Sequence, residues 1–217
     1  MTQAMPVLWS FRRCPYAMRA RLAIKSSGMP VRLREILLRD KPEEFLVDSE
    51  KGTVPVLKFQ DGNIIDESLD VINWALTNND PEDWLKVCRE SPGFCHEFVQ
   101  KLDGPFKHSL DRYKYATRYD NGLEDEAIHR DLGAAFIRDI DSRLQNQAYL
   151  SGNNFGFLDA VSLPFIRQFR IANPNWFDLQ DWERVHEWLN EFLSSDRFGA
   201  IMAKFQPWKD EGEEFLF

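Results

Sequence analysis

"RRCPYAMRARLAI", residues 12–24, places a thiol between cations where a helical pattern begins. Arg12 and Arg13 precede Cys14, and Pro15 follows it. Proline suits the first helical position, where its missing N–H would have no partner anyway. Ala17, Leu22, Ala23 and Ile24 supply an inner face, and Gly28 and Pro30 stop the helix. The first turn of a helix offers unpaired N–H groups and about half a positive charge. A cysteine at that point, beside arginines, is favoured as the nucleophilic thiolate. Spacing alone also allows Cys14 to be a space-filler at a strand–helix junction. Cys-Pro-Tyr-Ala lacks the second cysteine of a C-x-x-C dithiol, so a reactive Cys14 must work through a mixed disulfide with a separate thiol.

Outward from this stretch, residues 7–11 (VLWSF) read as a short buried strand. Residues 31–38 begin with alternation, Val31, Leu33 and Glu35 on one side and arginines on the other. "KPEEFLVDSEKG" suggests a short helix beginning at Pro42. TVPVLKF (53–59) and NIIDES (63–68), joined by Asp61-Gly62, read as a hairpin, and ESLDVINWALTN as the next helix. The order β-α-β-α-β-β-α defines a small α/β domain over residues 1–79. NNDPEDW (78–84) reads as a linker. Beyond it, residues 85–217 are expected to form an all-helical domain without strands. Its expected helices are 91–119, kinked at Gly104-Pro105, then 124–145, 157–172 with a bend at Pro164, and 181–195.

The bulk composition fits two small domains. The chain has 217 residues, 43% apolar, with 17 Phe and 7 Trp, enough for sizeable cores. Residues 1–79 carry 11 Lys and Arg against 10 Asp and Glu, and the remainder 16 against 25. The acidic second half argues against nucleic acid, which needs clustered cations. No segment reaches the ~18 apolar residues of a membrane helix, and the N-terminus lacks a secretory pattern, so no membrane association and a cytoplasmic location are expected. Three cysteines, Cys14, Cys88 and Cys95, make a poor disulfide framework. Cys88 and Cys95 fit no common zinc spacing and read as ordinary free thiols. The four histidines form no catalytic or metal pattern, and no metal is expected.

Several of these motifs together resemble the cytosolic glutathione transferases. They are C-P-Y-A opening a helix, GTVPVL about forty residues later, DES leading into the next helix, and LDAVSLPFIRQF (158–169) in the second domain. The likeness is greatest to the cysteine-type members, bacterial and omega-like, and covers essentially the whole chain. It implies an α/β plus all-α architecture: a thioredoxin-like first domain that binds glutathione, an all-helical second domain, and a homodimer. Val54, before a cis Pro55, would pair its backbone with the cysteinyl part of glutathione, as in strand addition. Glu67 and Ser68 would hold the γ-glutamyl group, with Ser68 also capping the third helix. Lys41 matches a lysine that reaches the glycyl end. Phe11, Phe106, Tyr113 and Trp176 are candidate linings of a second-substrate pocket. In one respect the chain departs from the family, which usually has Ser or Thr three residues before Asp159. Here that residue is Gly156, which leaves the capping box incomplete.

The function so implied is glutathione-dependent thiol transfer by Cys14, with glutathione as co-substrate and a small electrophile or disulfide as partner. Mixed disulfides, dehydroascorbate or glutathionyl adducts would be reduced. Two alternatives are conventional glutathione conjugation or isomerisation, with Cys14 a bystander, and a non-catalytic relative that binds a partner.

Overall fold

A computed structural model describes residues 5–120, 122–209 and 212–217. The chain divides into two compact units, one comprising residues 1–82 with 195–217 and the other residues 83–194.

The first unit begins with β1 (Val7–Ser10), α1 (Pro15–Ser27) and β2 (Arg32–Glu35). It continues with α2 (Glu43–Asp48), β3 (Val56–Lys58), β4 (Ile64–Ile65) and α3 (Ser68–Asn78). β1 pairs parallel with β2 through the α1 crossover, with Leu8 opposite Leu33, and antiparallel with β3, with Leu8 opposite Leu57. β3 and β4 form the expected hairpin, whose turn places Gly62 at φ +88, a backbone that favours glycine. The alternation read at residues 31–35 holds: Val31, Leu33 and Glu35 are buried, whereas Arg32 and Arg34 are half-buried.

The period of two sends Val7 and Trp9 to one side of the sheet. There they join Ala17, Ile36, Phe45, Val54, Val56 and Trp208 in one core, and Phe11 and Cys14 pack against it. Trp9 meets Phe45 and Trp208 edge-on at 5.6 and 5.1 Å between centroids, an arrangement aromatic quadrupoles favour.

Trp208 shows where the domain boundary differs from the sequence reading. Residues 195–217 belong to the first unit, not to the helical domain. After α11 (Asp196–Ile201) the chain ends in β5 (Phe215–Leu216), a strand not expected there, antiparallel to β2. The sheet order is β4-β3-β1-β2-β5, so the terminal strand covers an edge that would otherwise offer unpaired N–H and C=O groups. Phe217 N donates to the Val31 carbonyl at 3.0 Å, and Val31 N returns the bond at 3.1 Å. The Lys25 ammonium sits 3.9 Å from the centroid of the Phe217 ring. Two residues of strand carry too little pattern to be read from sequence.

Among its described residues the second unit's named elements are helices, α4 (Lys86–Glu90), α5 (Pro92–Lys101), α6 (Lys107–Lys114), α7 (Gly122–Leu144), α8 (Phe157–Ala172), α9 (Pro174–Asp178) and α10 (Glu183–Ser194), with an isolated Tyr149–Gly152 bridge in the loop before α8. α4 lies beside the expected linker and was not anticipated. The Gly104-Pro105 interruption appears as a π-helical turn, Leu102–Phe106, between α5 and α6. That wider turn absorbs the N–H that proline lacks.

α8 is the buried helix of this unit, and its start resolves the question raised by Gly156. Gly156 is the N-cap, and its N–H donates to Asp159 Oδ2 at 3.1 Å. The capping hydroxyl comes instead from Ser151, whose Oγ accepts the Leu158 N–H at 3.0 Å. Asp159 also accepts from Leu150 N, Ser151 N and the Trp188 indole. Burial pushes its carboxyl up, although these N–H donors pull the other way. Asp159 is thus a structural hub.

Candidate functional site

Cys14 is the residue immediately before α1, extended at φ −76, ψ 123, and it makes no side-chain cap. Its carbonyl accepts the Met18 N–H at 2.9 Å, and its own N–H donates to Phe11 O at 2.9 Å, which closes a turn between strand and helix. The thiol is half-buried and lies 3.7 Å from the Val54 carbonyl oxygen. The Val54–Pro55 peptide is cis. Forty positions separate Cys14 from Val54, so only the fold brings them together.

The segment 49–55 carries Val54, and several buried groups fix it. Asp48 ends α2 and accepts from the Trp9 indole at 2.9 Å and from Lys58 Nζ at 2.7 Å. The next residue, Ser49, turns the chain: its hydroxyl bonds both the N–H and the carbonyl of Thr53 at 3.2 Å. Gly52 N donates back to Ser49 O at 2.9 Å, with Gly52 at φ +59. A side chain at position 52 would be strained there and would start 3.1 Å from Lys41 Nζ. Lys41 therefore lies over this turn, and it also lines a cavity of about 290 Å³ with Leu37, Pro42, Trp208 and Lys209.

Glu67 reaches the same segment through Lys51, whose Nζ lies 2.5 Å from Glu67 Oε1 and 3.0 Å from Asp66 Oδ2. These carboxylates raise the Lys51 ammonium. The Glu67 side chain is largely exposed, so this pairing is weak in water. Ser68 differs from expectation. It is the first residue of α3, Glu67 is the N-cap, and no side chain caps the helix. The buried Ser68 hydroxyl instead accepts from Arg19 Nε of α1 at 2.8 Å. A fully buried guanidinium needs an acceptor, and this one outcompetes the local cap.

The loop before Cys14 is tied down from below. Arg12 N donates to Glu35 Oε1 at 2.7 Å, and Arg21 NH2 donates to Glu35 Oε2 at 3.1 Å. Glu35 and Arg21 are both buried; burial raises the carboxyl and lowers the guanidinium. The Arg13 guanidinium lies 5.1 Å from the Phe11 ring centroid.

Segment 49–55 thus links Cys14, Lys41, Val54, Pro55 and Glu67, while Ser68 attaches to α1 through Arg19. The sequence reading missed Arg19, Glu35, Asp48, Ser49, Lys51 and Gly52 as members of this assembly. The Ser-x-Lys-Gly stretch carried a turn signal, but it was absorbed into a short helix. The two buried arginines of α1 carried no signal, because arginine in an amphipathic helix ordinarily faces water.

The second-substrate candidates fall in both units. Phe11 belongs to the first. In the second, Phe106, Tyr113 and Trp176 surround Phe169, with centroids 5.8, 5.0 and 6.3 Å from its ring. Phe106 and Tyr113 are buried, and Trp176 is half-buried. The Tyr113 hydroxyl has no hydrogen-bond partner among the described residues, and burial pushes it up to about 12.

A five-stranded thioredoxin-like sheet with a cis-Pro segment against a helix-start cysteine, and a separate helical unit, define a class of fold and site. The glutathione S-transferase N-terminal domain model matches residues 8–83, and the C-terminal domain model matches residues 115–191. Glutathione S-transferase DHAR2 of Arabidopsis thaliana is 38% identical over 196 residues, 88% of this chain and 84% of that protein. Glutathione S-transferase omega-1 of Sus scrofa is 38% identical over 172 residues, 77% of this chain and 68% of that protein. A glutathione transferase homologue from Sulfitobacter, solved with bound glutathione, superposes with a TM-score of 0.75 at 13% identity, covering 91% of this chain and 96% of that one. The chain belongs to the glutathione S-transferase family and is a glutathione transferase.

Proposed function

We propose that the protein is a glutathione-dependent thiol transferase whose nucleophile is Cys14. The observation that carries this reading is the Cys14 sulfur at the start of α1, half-exposed and 3.7 Å from the Val54 carbonyl. The Cys14 thiolate attacks the glutathionyl sulfur of a mixed disulfide, forms Cys14–S–SG and expels the substrate thiolate, which takes up a proton. A second glutathione thiolate attacks the glutathionyl sulfur of Cys14–S–SG, which forms glutathione disulfide and expels the Cys14 thiolate. Glutathione adds to the chain along segment 49–55. Val54 and Pro55 present backbone to its cysteinyl part, Glu67 and Ser68 with the N-terminus of α3 receive the γ-glutamyl group, and Lys41 the glycyl carboxylate.

The second substrate is a small electrophile or disulfide, including dehydroascorbate and glutathionyl adducts, with Phe106, Tyr113 and Trp176 of the helical unit as its candidate contacts. Omega-class and DHAR relatives support the reading. A homodimer in the cytoplasm is the working assembly.

The test is intact mass spectrometry after exposure to glutathione disulfide, together with Cys14→Ser. One glutathione adduct mapping to Cys14, and loss of at least 100-fold of disulfide reductase activity in the variant, are expected. A Cys14 that takes no adduct, or a variant that retains reductase activity, overturns the proposal. Conjugating activity that survives the variant supports the bystander reading.

A further inference from the structure

The sulfurs of Cys88 and Cys95 lie 2.6 Å apart in the second unit. This is about half an ångström beyond the ~2.05 Å of a disulfide bond. Both cysteines are free thiols, Cys88 half-buried on α4 and Cys95 buried on α5.

Backbone structure creates the approach. Ser91 N donates to Val87 O at 2.9 Å and closes α4, and Cys95 N donates to Ser91 O at 3.1 Å and opens α5. Pro92 holds the first position of α5 and fixes the turn between the two helices. The two sulfurs therefore meet without either helix having to move far.

The two helices are unequal. α4 spans five residues and buries none of them. A helix so short has little stability of its own. α5 is anchored by buried Cys95 and Phe98. A covalent link from Cys88 to Cys95 would fasten the weak helix to the anchored one.

We propose that Cys88 and Cys95 form a reversible disulfide that staples α4 to α5, with glutathione disulfide as oxidant. The partly exposed Cys88 sulfur, on losing its proton, attacks one sulfur of glutathione disulfide and releases one glutathione thiolate. Cys95, on losing its proton, attacks the Cys88 sulfur and releases the second. The two protein thiols give up two electrons and two protons, and one glutathione disulfide becomes two glutathione thiols. Excess glutathione runs the sequence backwards.

Burial pushes both thiols up, so neither ionises readily. That suits a slow staple rather than a nucleophile that turns over, and it separates this pair from Cys14. The link also closes only a short loop. Its effect is local: it holds residues 86–91 in place.

The test uses full-length Cys14→Ser protein, so that chemistry at Cys14 cannot contribute. The protein is equilibrated in buffers of rising glutathione disulfide to glutathione ratio, quenched in acid, alkylated and analysed by intact mass and peptide mapping. Cys88 and Cys95 are expected to escape alkylation together. They give one linked peptide pair lighter by two hydrogens, with no glutathione retained, and a dithiol restores both. Amide hydrogen exchange over 86–91 is expected to slow several-fold in the oxidised form. In Cys95→Ser, Cys88 retains glutathione; in Cys88→Ser, the buried Cys95 stays unmodified; in neither does exchange slow. The proposal is overturned if both cysteines still alkylate in excess glutathione disulfide, if either retains glutathione while its partner is present, or if exchange slows in a single-cysteine variant. Because Cys14 is absent throughout, none of these outcomes bears on the thiol-transfer reading.

Discussion

Ser151 and Gly156 are interdependent. The Ser151 hydroxyl occupies the capping position of α8, and a Cβ on Gly156 would stand 2.8 Å from Ser151 Cβ. Gly156 is at φ −156, ordinary extended backbone, so it is the space taken by Ser151 that demands glycine there.

Gly156→Ala is therefore expected to destabilise the protein by about 1–3 kcal/mol through overpacking. Gly156→Ser, which would complete the capping box on paper, should do no better, because its Cβ meets the same wall. Ser151→Ala should cost about 1 kcal/mol as a lost cap. Gly156→Ala combined with Ser151→Gly should cost less than the sum of its parts, since the clash disappears. Urea denaturation of these four variants and of Ser151→Gly alone checks this. A strictly additive double variant would place the strain elsewhere.

The Glu35–Arg21 pair yields a second expectation. Both side chains are within 5% of full burial, and Glu35 also holds the Arg12 N–H two residues before Cys14. Glu35→Ala strands a buried guanidinium and frees that N–H, at a cost of about 3–5 kcal/mol. Arg21→Met with Glu35→Gln removes the charge and keeps an acceptor for Arg12, so most of the loss should return. Equilibrium unfolding measures both. A Glu35→Ala variant as stable as the parent would mean that the pair contributes nothing.

These two cases show how far the sequence could be read. The βαβ unit, the hairpin and the crossover helix were legible because their apolar periodicities are uninterrupted and their turns carry Gly28 and Asp61-Gly62. The residues resembling a known site were legible because motif spacing survives in the linear chain. Ser151, Arg19 and Glu35 were not assigned their roles, because each acts on a group that only the fold brings near. The terminal strand and the return of residues 195–217 to the first unit were hidden for a related reason. A two-residue strand has no period, and its partner, β2, lies 182 positions away in the Arg32–Glu214 contact.

The three thiols should separate by pH. Burial raises the Cys88 thiol, with the adjacent Cys95 thiol adding to the effect, and burial raises Cys95 as well. A raised value means less thiolate at any given pH, so alkylation of both should be suppressed through neutrality and rise only in strong alkali. Cys14, at the start of α1 and next in sequence to Arg13, should alkylate first at pH 7 on the thiol-transfer reading. Iodoacetamide labelling of the three double Cys→Ser variants, each with one cysteine left, gives the rates. Labelling of Cys88 at neutral pH as fast as that of Cys14 would contradict the order.

Tyr113 separates packing from chemistry in the second unit. Its hydroxyl is buried and has no hydrogen-bond partner among the described residues, and its ring packs tilted against Phe169. Removing a buried hydroxyl that lacks a partner deletes an uncompensated desolvation cost, so Tyr113→Phe should leave the melting temperature unchanged or raise it. The ring is retained, so the cluster stays filled. A role in holding the second substrate would appear elsewhere, as a fall of about 10-fold in kcat/KM toward a small glutathionylated disulfide with the KM for glutathione unchanged, the size expected from one lost hydrogen bond. Paired thermal unfolding and steady-state kinetics distinguish the cases. A fall in melting temperature would show that the hydroxyl is paired, and an unchanged kcat/KM would remove Tyr113 from the second-substrate pocket.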